Sequence, residues 1–209
     1  HQCHSCGDYK KHMKALETLQ RQEKKLKELN NHIDKEKNLY WNHFLHLVDI
    51  LSHFGYLKDN FPTELGITAS TLRCDNELYI TEMLNSGIFD TLKPSQIAAV
   101  LCAMISEEPR SDLMPFVHPS SDTLHALEKI AYESRKIKKI QRKNYINNDP
   151  KITPFYSGIV EAWATYGEWE ELVEETQMSE GDVVRVLKRT VDILRQVINA
   201  PYINPEIKE

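Results

Sequence analysis

The apolar positions of this chain change their spacing near residue 38, and each side of the change predicts a different element. Between Gly7 and Gly55 there is neither glycine nor proline, so little interrupts a helix there. Leu19, Leu26 and Ile33 recur every seven residues, with Leu16 and Leu29 alongside, while Glu23 and Asn30 interrupt the other seam position. A narrow apolar stripe on a highly charged helix is the pattern of a coiled-coil arm packing against one partner helix. From Asp8 to Asn38 the arm reaches about 45 Å at a rise of about 1.5 Å per residue. No partner heptad exists elsewhere in the sequence, so the partner is expected upstream; a surface helix of a bundle is the plainer alternative. After Asn38, "LYWNHFLHLVDILSHFGYL" is dense in apolar and aromatic residues, which predicts a buried helix stopping near Gly55.

Beyond Gly55 the helical period returns repeatedly. "TELGITASTLR" is the one stretch with β character, predicting a short strand or wing at most. Helices are then expected near 75–86, 94–106, 119–146, 153–166 and 168–176. Pro94 and Pro119 fall where proline is tolerated, in first turns. Ile97, Val100, Leu101 and Met104 give the 94–106 helix a core face. A last helix opens at "SEGDVVRVLKRTVDILRQ", where Ser179 and Asp182 resemble a capping box with Asp in place of Glu or Gln. The fold class is therefore all-α: a helical bundle behind a long arm helix, with at most one short β element. The expected division is 1–38 for the arm and 39–209 for the bundle.

Composition narrows the function classes. A formal net charge of −5 gives no global attraction to nucleic acid or anionic membrane, so any such role must come from local patches. No apolar run approaches the roughly 20 residues needed to span a bilayer. The chain opens on His1 with no signal-peptide pattern, and reads as a fragment whose upstream part is missing. Cys3, Cys6, Cys74 and Cys102 are too few and scattered for a disulfide framework, which makes a reducing compartment the expectation. Charge is segregated: "RKIKKIQRK", Arg135 to Lys143, is strongly basic. Between Lys151 and Arg185 there is neither lysine nor arginine, and Glu170, Glu171, Glu174 and Glu175 cluster. Solvated surface or pairing between these helices is the ordinary reading, and nucleic-acid contact by the basic run the alternative.

Candidate chemistry is sparse. "HQCHSC" offers His1, Cys3, His4 and Cys6 as zinc ligands, but one short loop cannot fill four tetrahedral positions without strain. Cys74 and Cys102 have no companion at ligand spacing, so no metal site is expected. There is no G-x-S-x-G elbow, no H-E-x-x-H and no phosphate loop of the G-x-x-x-x-G-K-[ST] kind. The segment is expected to do no chemistry of its own.

"GEWEELVEETQMSEGDVVRVLKR" reads as helix, tight turn, helix, similar to a helix-turn-helix half. On the last helix Val183, Leu187, Thr190, Leu194 and Val197 form an apolar stripe. Arg185, Lys188, Arg189, Asp192, Arg195 and Gln196 fall opposite it, within an arc of about 120° at 100° per residue. Guanidinium groups one turn apart suit phosphates or stacked bases, and Asp192 or Gln196 could meet base edges. A solvated face with Arg189 paired to Asp192 at i,i+3 is the plainer alternative.

Here the residues carry a family resemblance. "LRCDNELYITEMLNSGIFDTLKPSQIAAVLCAMISEE", Leu72 to Glu108, resembles the signature block of the DSHCT domain. That domain ends the Ski-type, exosome-associated superfamily-two RNA helicases and their bacterial and plastid HelY-like relatives. The block's features are Asn76-Glu77-Leu78 at a helix start, Thr81-Glu82, the Ser86 to Phe89 turn, and Leu92-x-Pro94-x-Gln96. "AWATYGEWEELVEETQMSEGDVVRVLKR" is similar to the domain's later helix pair. "HQCH" resembles the His-Pro-x-His that opens the returning helix of the family's stalk, with Gln2 for proline.

The resemblance implies a helical bundle packed across two upstream RecA-like motor domains, closing a channel through which single-stranded RNA is drawn. One bundle helix is proposed to act there as a ratchet, and its strand-facing residues match Arg189, Asp192 and Arg185, with Lys188 on the same face. ATP and Mg would belong to the missing motor, so ATP hydrolysis is expected of the parent and not of this segment. Implied partners are single-stranded RNA and the parent's own RecA-like domains, with no membrane, in cytoplasm or plastid stroma. "GDVVR" and "EWEELVEET" look closest to the HelY-like bacterial or plastid branch. Family members usually carry a further helix after the ratchet, so a C-terminal truncation is expected. Two rival functions stand beside this one: a non-enzymatic helix-turn-helix regulator binding duplex DNA, and a protein-docking scaffold.

Overall fold

The arm expected over Asp8–Asn38 and the helix expected after it run on as one, because no glycine or proline between Gly7 and Gly55 interrupts them. In the computed structural model, which describes residues 6–109, 117–167, 169–176 and 178–208, α1 runs from Tyr9 to His53. The chain divides into two compact units, His1–His46 and Leu47–Glu209. In the first unit the heptad stripe lies open to solvent, with Leu26 60% exposed. The aromatic stretch that follows was expected to be buried and is not: Leu39, Tyr40, Trp41 and Phe44 are all exposed, Tyr40 by 79%. Trp41 and Phe44, three residues apart on one face, stack on each other at 5.4 Å. Burial begins only in the last turns of the helix, at Ile50, Leu51 and Phe54, which join the core of the second unit.

Gly55 ends α1 as its position predicts. Its φ of 78° is left-handed, which lets the Tyr56 amide reach back to the Leu51 carbonyl and the Gly55 amide to that of Ser52. The β element comes earlier than the sequence indicated. Leu57–Lys58 (β1) and Phe61–Pro62 (β2) pair antiparallel across Asp59 and Asn60, both of which take the positive φ a two-residue hairpin turn requires.

The stretch read as β-like is instead α2, Glu64–Thr71. Its threonines count toward strand propensity, but here they serve helix ends. Thr63 caps the Gly66 amide, while Thr68 and Thr71 donate to the carbonyls of Glu64 and Thr68. Thr68 also donates to the Pro201 carbonyl at 2.7 Å, tying α2 to the chain's far end.

α3 (Glu77–Leu84) and α4 (Pro94–Ile105) explain why the central block has its particular residues. Asn76 caps α3 through the Tyr79 amide. Gly87, with φ 76°, turns the chain so that Phe89 is buried. Pro94 takes the first helical position of α4, and the Gln96 carbonyl oxygen accepts from the Lys93 amide at 2.9 Å. The Gln96 amide reaches Ser120 and Asp122, joining the start of α4 to the start of α5 (Ser121–Lys143). Pro119 stands just before the cap Ser120 rather than in the first turn, which begins two residues later at Ser121.

Every residue of α4 from Gln96 to Met104 is buried, because neighbours cover it on opposite sides. Val100, Leu101 and Met104 meet α3, α5 and the later part of α8 (Glu180–Asn199). Ala98 and Cys102 meet α6 (Ser157–Tyr166), Leu172 of α7 (Trp169–Thr176) and the first turns of α8. A 3-10 turn, Pro154–Tyr156, leads into α6, and α9, Pro205–Lys208, follows α8.

Thr81-Glu82 contributes a half-buried carboxyl. The Tyr56 hydroxyl donates to Glu82 Oε1 at 2.9 Å, while burial raises the carboxyl's pKa against the lowering effects of that bond and of Lys136. An unfolded glutamate ionises near pH ~4.3. The folded form holds its proton more readily, so this group costs stability as pH climbs from that point through the raised value. Glu82→Gln keeps an acceptor for Tyr56 and removes the ionisation. Its urea midpoint is expected above that of the parent at pH 7 and close to it at pH 4. A lower midpoint at pH 7 would mean that Tyr56 and Lys136 outweigh desolvation.

Candidate nucleic-acid interface

The last long helix, α8, is set by its cap and by its apolar face. Ser179 accepts from the Asp182 amide at 3.2 Å and donates to the Asp182 carboxylate at 2.8 Å. Only half of the expected capping box forms, because an Asp at that position folds onto the hydroxyl instead of reaching the cap amide. Val183, Val186, Leu187, Thr190, Ile193 and Val197 are buried. That burial fixes the rotation of the helix, so Arg185, Lys188, Arg189, Asp192 and Arg195 are all on the exposed side.

Arg189 sits between two clefts. One, about 190 Å³, is lined by Glu107, Tyr156, Met178, Asp182, Arg185 and Arg189. The other, about 250 Å³, runs past Arg73, Asp75, Arg189, Asp192 and Gln196. Lys188 is exposed beside them and lines neither. Arg185 pairs with Asp182 at 3.1 Å and keeps 65% of its side chain exposed. Arg189 does not pair with Asp192. Its Nη1 meets Glu107 Oε1 at 3.0 Å, and Nη2 donates to the Ile105 carbonyl at 3.4 Å. Both guanidiniums are therefore at cavity walls, held by the half-buried Asp182, the exposed Glu107 and the Ile105 carbonyl.

Two contributors were not visible in the sequence, and a third was read in another role. Glu107 follows α4 in an irregular segment, with no periodicity to mark it. Tyr156 enters from the 3-10 turn. Gln196 was placed on the polar face as a base-edge candidate, but its Oε1 accepts from the Arg73 amide at 2.6 Å, which gives it a structural role.

Burial pushes the Cys74 thiol up to about 11 and raises that of Cys102 as well, so both stay protonated and inert at neutral pH. Of the N-terminal His/Cys group, His1, Cys3 and His4 lie outside the described residues, and Cys6 is exposed with its sulfur 3.8 Å from His12 Nδ1. Among the described residues no helix is long and apolar enough to cross a membrane.

A family model for the DSHCT (NUC185) domain matches residues 59–209. The chain belongs to the DSHCT domain family. The match takes in α2 to α9, including the whole of the α8 interface. Among curated proteins, this DSHCT chain is 29% identical over 202 residues to the "DExH-box ATP-dependent RNA helicase DExH15 chloroplastic" of Arabidopsis thaliana, covering 93% of this chain and 17% of that protein. It is 29% identical over 157 residues to the "mRNA transport homolog 4" of Caenorhabditis elegans, covering 72% and 15%. With the "Exosome RNA helicase MTR4" of Homo sapiens it shares 24% over 157 residues, again 72% and 15%. The chain thus spans about one sixth of the length of these relatives, and resembles DSHCT segments of both the chloroplast and the exosome type.

Proposed function

We propose that this DSHCT domain is the accessory, strand-guiding part of an ATP-dependent RNA helicase. Its α8 acts as a ratchet helix over single-stranded RNA that an upstream motor draws past it. The observation that carries the reading is the orientation of α8: its aliphatic side is buried in two core clusters while Arg185 and Arg189 line open clefts. Arg185 and Arg189 take phosphates, Lys188 adds positive charge beside them, and Asp192 meets sugar or base edges at the second cleft. Such contacts are electrostatic and tolerate any sequence. ATP and Mg bind the parent's RecA-like domains, which are also the bundle's packing partners, and residues 1–38 form the returning helix of a stalk. The setting is aqueous, in cytoplasm or plastid stroma.

Glu107 provides a direct test. In the strand-free domain its carboxylate occupies Arg189 where a phosphate would sit, so RNA must displace it. An exposed pair of this kind holds with roughly 0.2–1 kcal/mol. Glu107→Gln in the parent is expected to tighten binding of a labelled oligouridine about two- to fivefold by anisotropy. The gain should vanish when Arg189→Ala is already present. If Arg189→Ala leaves RNA affinity unchanged, the strand-guiding reading fails. Selective binding of duplex DNA would favour a regulator instead.

A further inference from the structure

The basic run from Arg135 to Lys143 is not absorbed by the α8 interface, and α5 divides its residues among different surroundings. Lys138 and Arg142 turn toward the loop after the helix and grip Asp149 at 2.9 and 2.5 Å. Those bonds hold the Asp149 carboxyl below its ordinary range, so the inner pair has a structural task. Lys136 lies over the Phe54 ring, 5.6 Å from its centroid, and the remaining three form an outer row with Tyr132. At 100° per residue, Tyr132, Arg135, Lys139 and Lys143 fall within about 80° of one another, opposite the buried Ile130, Ile137 and Gln141. Arg135, Lys139 and Lys143 follow each other about 6 Å apart along the axis.

Ordinary explanations do not account for this row. Favourable interaction with the helix dipole reaches only the last turn, which holds Arg142 and Lys143 but not Arg135 or Lys139. Among the described residues no ion pair joins α5 to the glutamates of α7, and none involves Arg135, Lys139 or Lys143. Tyr132 is 66% exposed, with the Arg135 guanidinium 5.5 Å from its ring centroid. An aromatic face beside a cationic row is what unpaired nucleic acid uses, the ring for a base and the charges for successive phosphates. An acidic protein partner would use the charges but has no need of the ring.

The inner pair, and not the row, borders the α8 site. Asp149, anchored by the inner pair, and Glu107, anchored by Arg189, line a single cleft of about 350 Å³. We infer that the outer face of α5, formed by Tyr132, Arg135, Lys139 and Lys143, is a second binding surface for single-stranded RNA, taking its phosphate backbone and stacking one base on Tyr132. This rests on the reading that the parent handles RNA, but its test is independent of α8.

The experiment is a salt titration of oligouridine binding by the parent protein carrying Arg135→Gln, Lys139→Gln and Lys143→Gln. Each phosphate contact on a single strand contributes about 0.7 to the slope of log affinity against log salt, so the slope is expected to shrink by about 2. Lys139→Arg with Lys143→Arg should retain the parental slope. Tyr132→Ala should weaken binding several-fold without changing the slope. Unchanged affinity and slope in the triple glutamine variant, with an unchanged melting temperature, would overturn the inference. If that variant loses its slope while Arg185→Ala with Arg189→Ala has no effect, the α8 reading fails and the α5 surface stands. The three side chains are exposed, so the triple variant is expected to fold.

Discussion

Replacing Arg185 and Arg189 together by alanine in the proposed parent helicase is expected to lower RNA-stimulated ATPase and unwinding about tenfold or more. Each guanidinium offers charge-assisted hydrogen bonds to a phosphate, and such bonds contribute roughly 1.5–3 kcal/mol where they are well formed. Partial exposure and the competing carboxylates of Asp182 and Glu107 reduce that figure, so about 0.7 kcal/mol per side chain is the conservative expectation, a factor of roughly ten together. The fold should not change, because neither side chain belongs to the core and exposed substitutions usually fall within about 0.5 kcal/mol. The salt slope of RNA binding should shrink by about 1.4. Unwinding at the parental rate, with the melting temperature preserved, would remove α8 from the strand path.

The second large effect is on stability. Gly158→Ala is expected to destabilise the domain by about 3 kcal/mol, read from the urea midpoint. Gly158 lies in the first turn of α6, and a Cβ built there would stand 2.1 Å from the Val117 carbonyl oxygen and 2.7 Å from the His118 carbonyl carbon. Those neighbours are backbone and cannot rotate aside. They are also clamped one turn further along: Glu161 accepts from the Ser120 amide at 3.0 Å and from the Thr123 hydroxyl at 2.8 Å. Glycine lets the 117–120 segment approach α6, and Glu161 holds it there as it leads into α5. Pushing the segment outward to admit a methyl group would strain both of the Glu161 bonds. A loss below about 0.5 kcal/mol would mean that the approach relaxes freely.

What could be read without coordinates was local. The helical character of Tyr9–His53, the stop at Gly55, the cap at Ser179 and the core face of α4 all follow from interactions within a few residues, which a sequence displays directly. The same holds for the two faces of α8, since the helical period alone separates Val183 and Leu187 from Arg185 and Arg189. Misreadings arose where local preference met longer-range contacts. The threonines of Glu64–Thr71 look strand-like in isolation, yet a cap at Thr63 and the bond from Thr68 to Pro201 hold them in a helix. The aromatic residues from Leu39 to Phe44 look like core, and they are exposed because burial depends on neighbours and not on hydrophobicity.

For the site the division is sharper. The chain's own periodicity determined which side of α8 bears the cations, since any packing of its apolar stripe turns them outward. Tertiary structure alone decided what Arg189 meets: Glu107 lies 82 residues before it, and nothing in the intervening sequence marks it as a partner. It also decided that the basic run of α5 splits into a pair gripping Asp149, Lys136 over the Phe54 ring, and a row left to solvent. Charge is legible along a chain, but pairing is a matter of distance, and distances between remote residues are set only when the core between them closes.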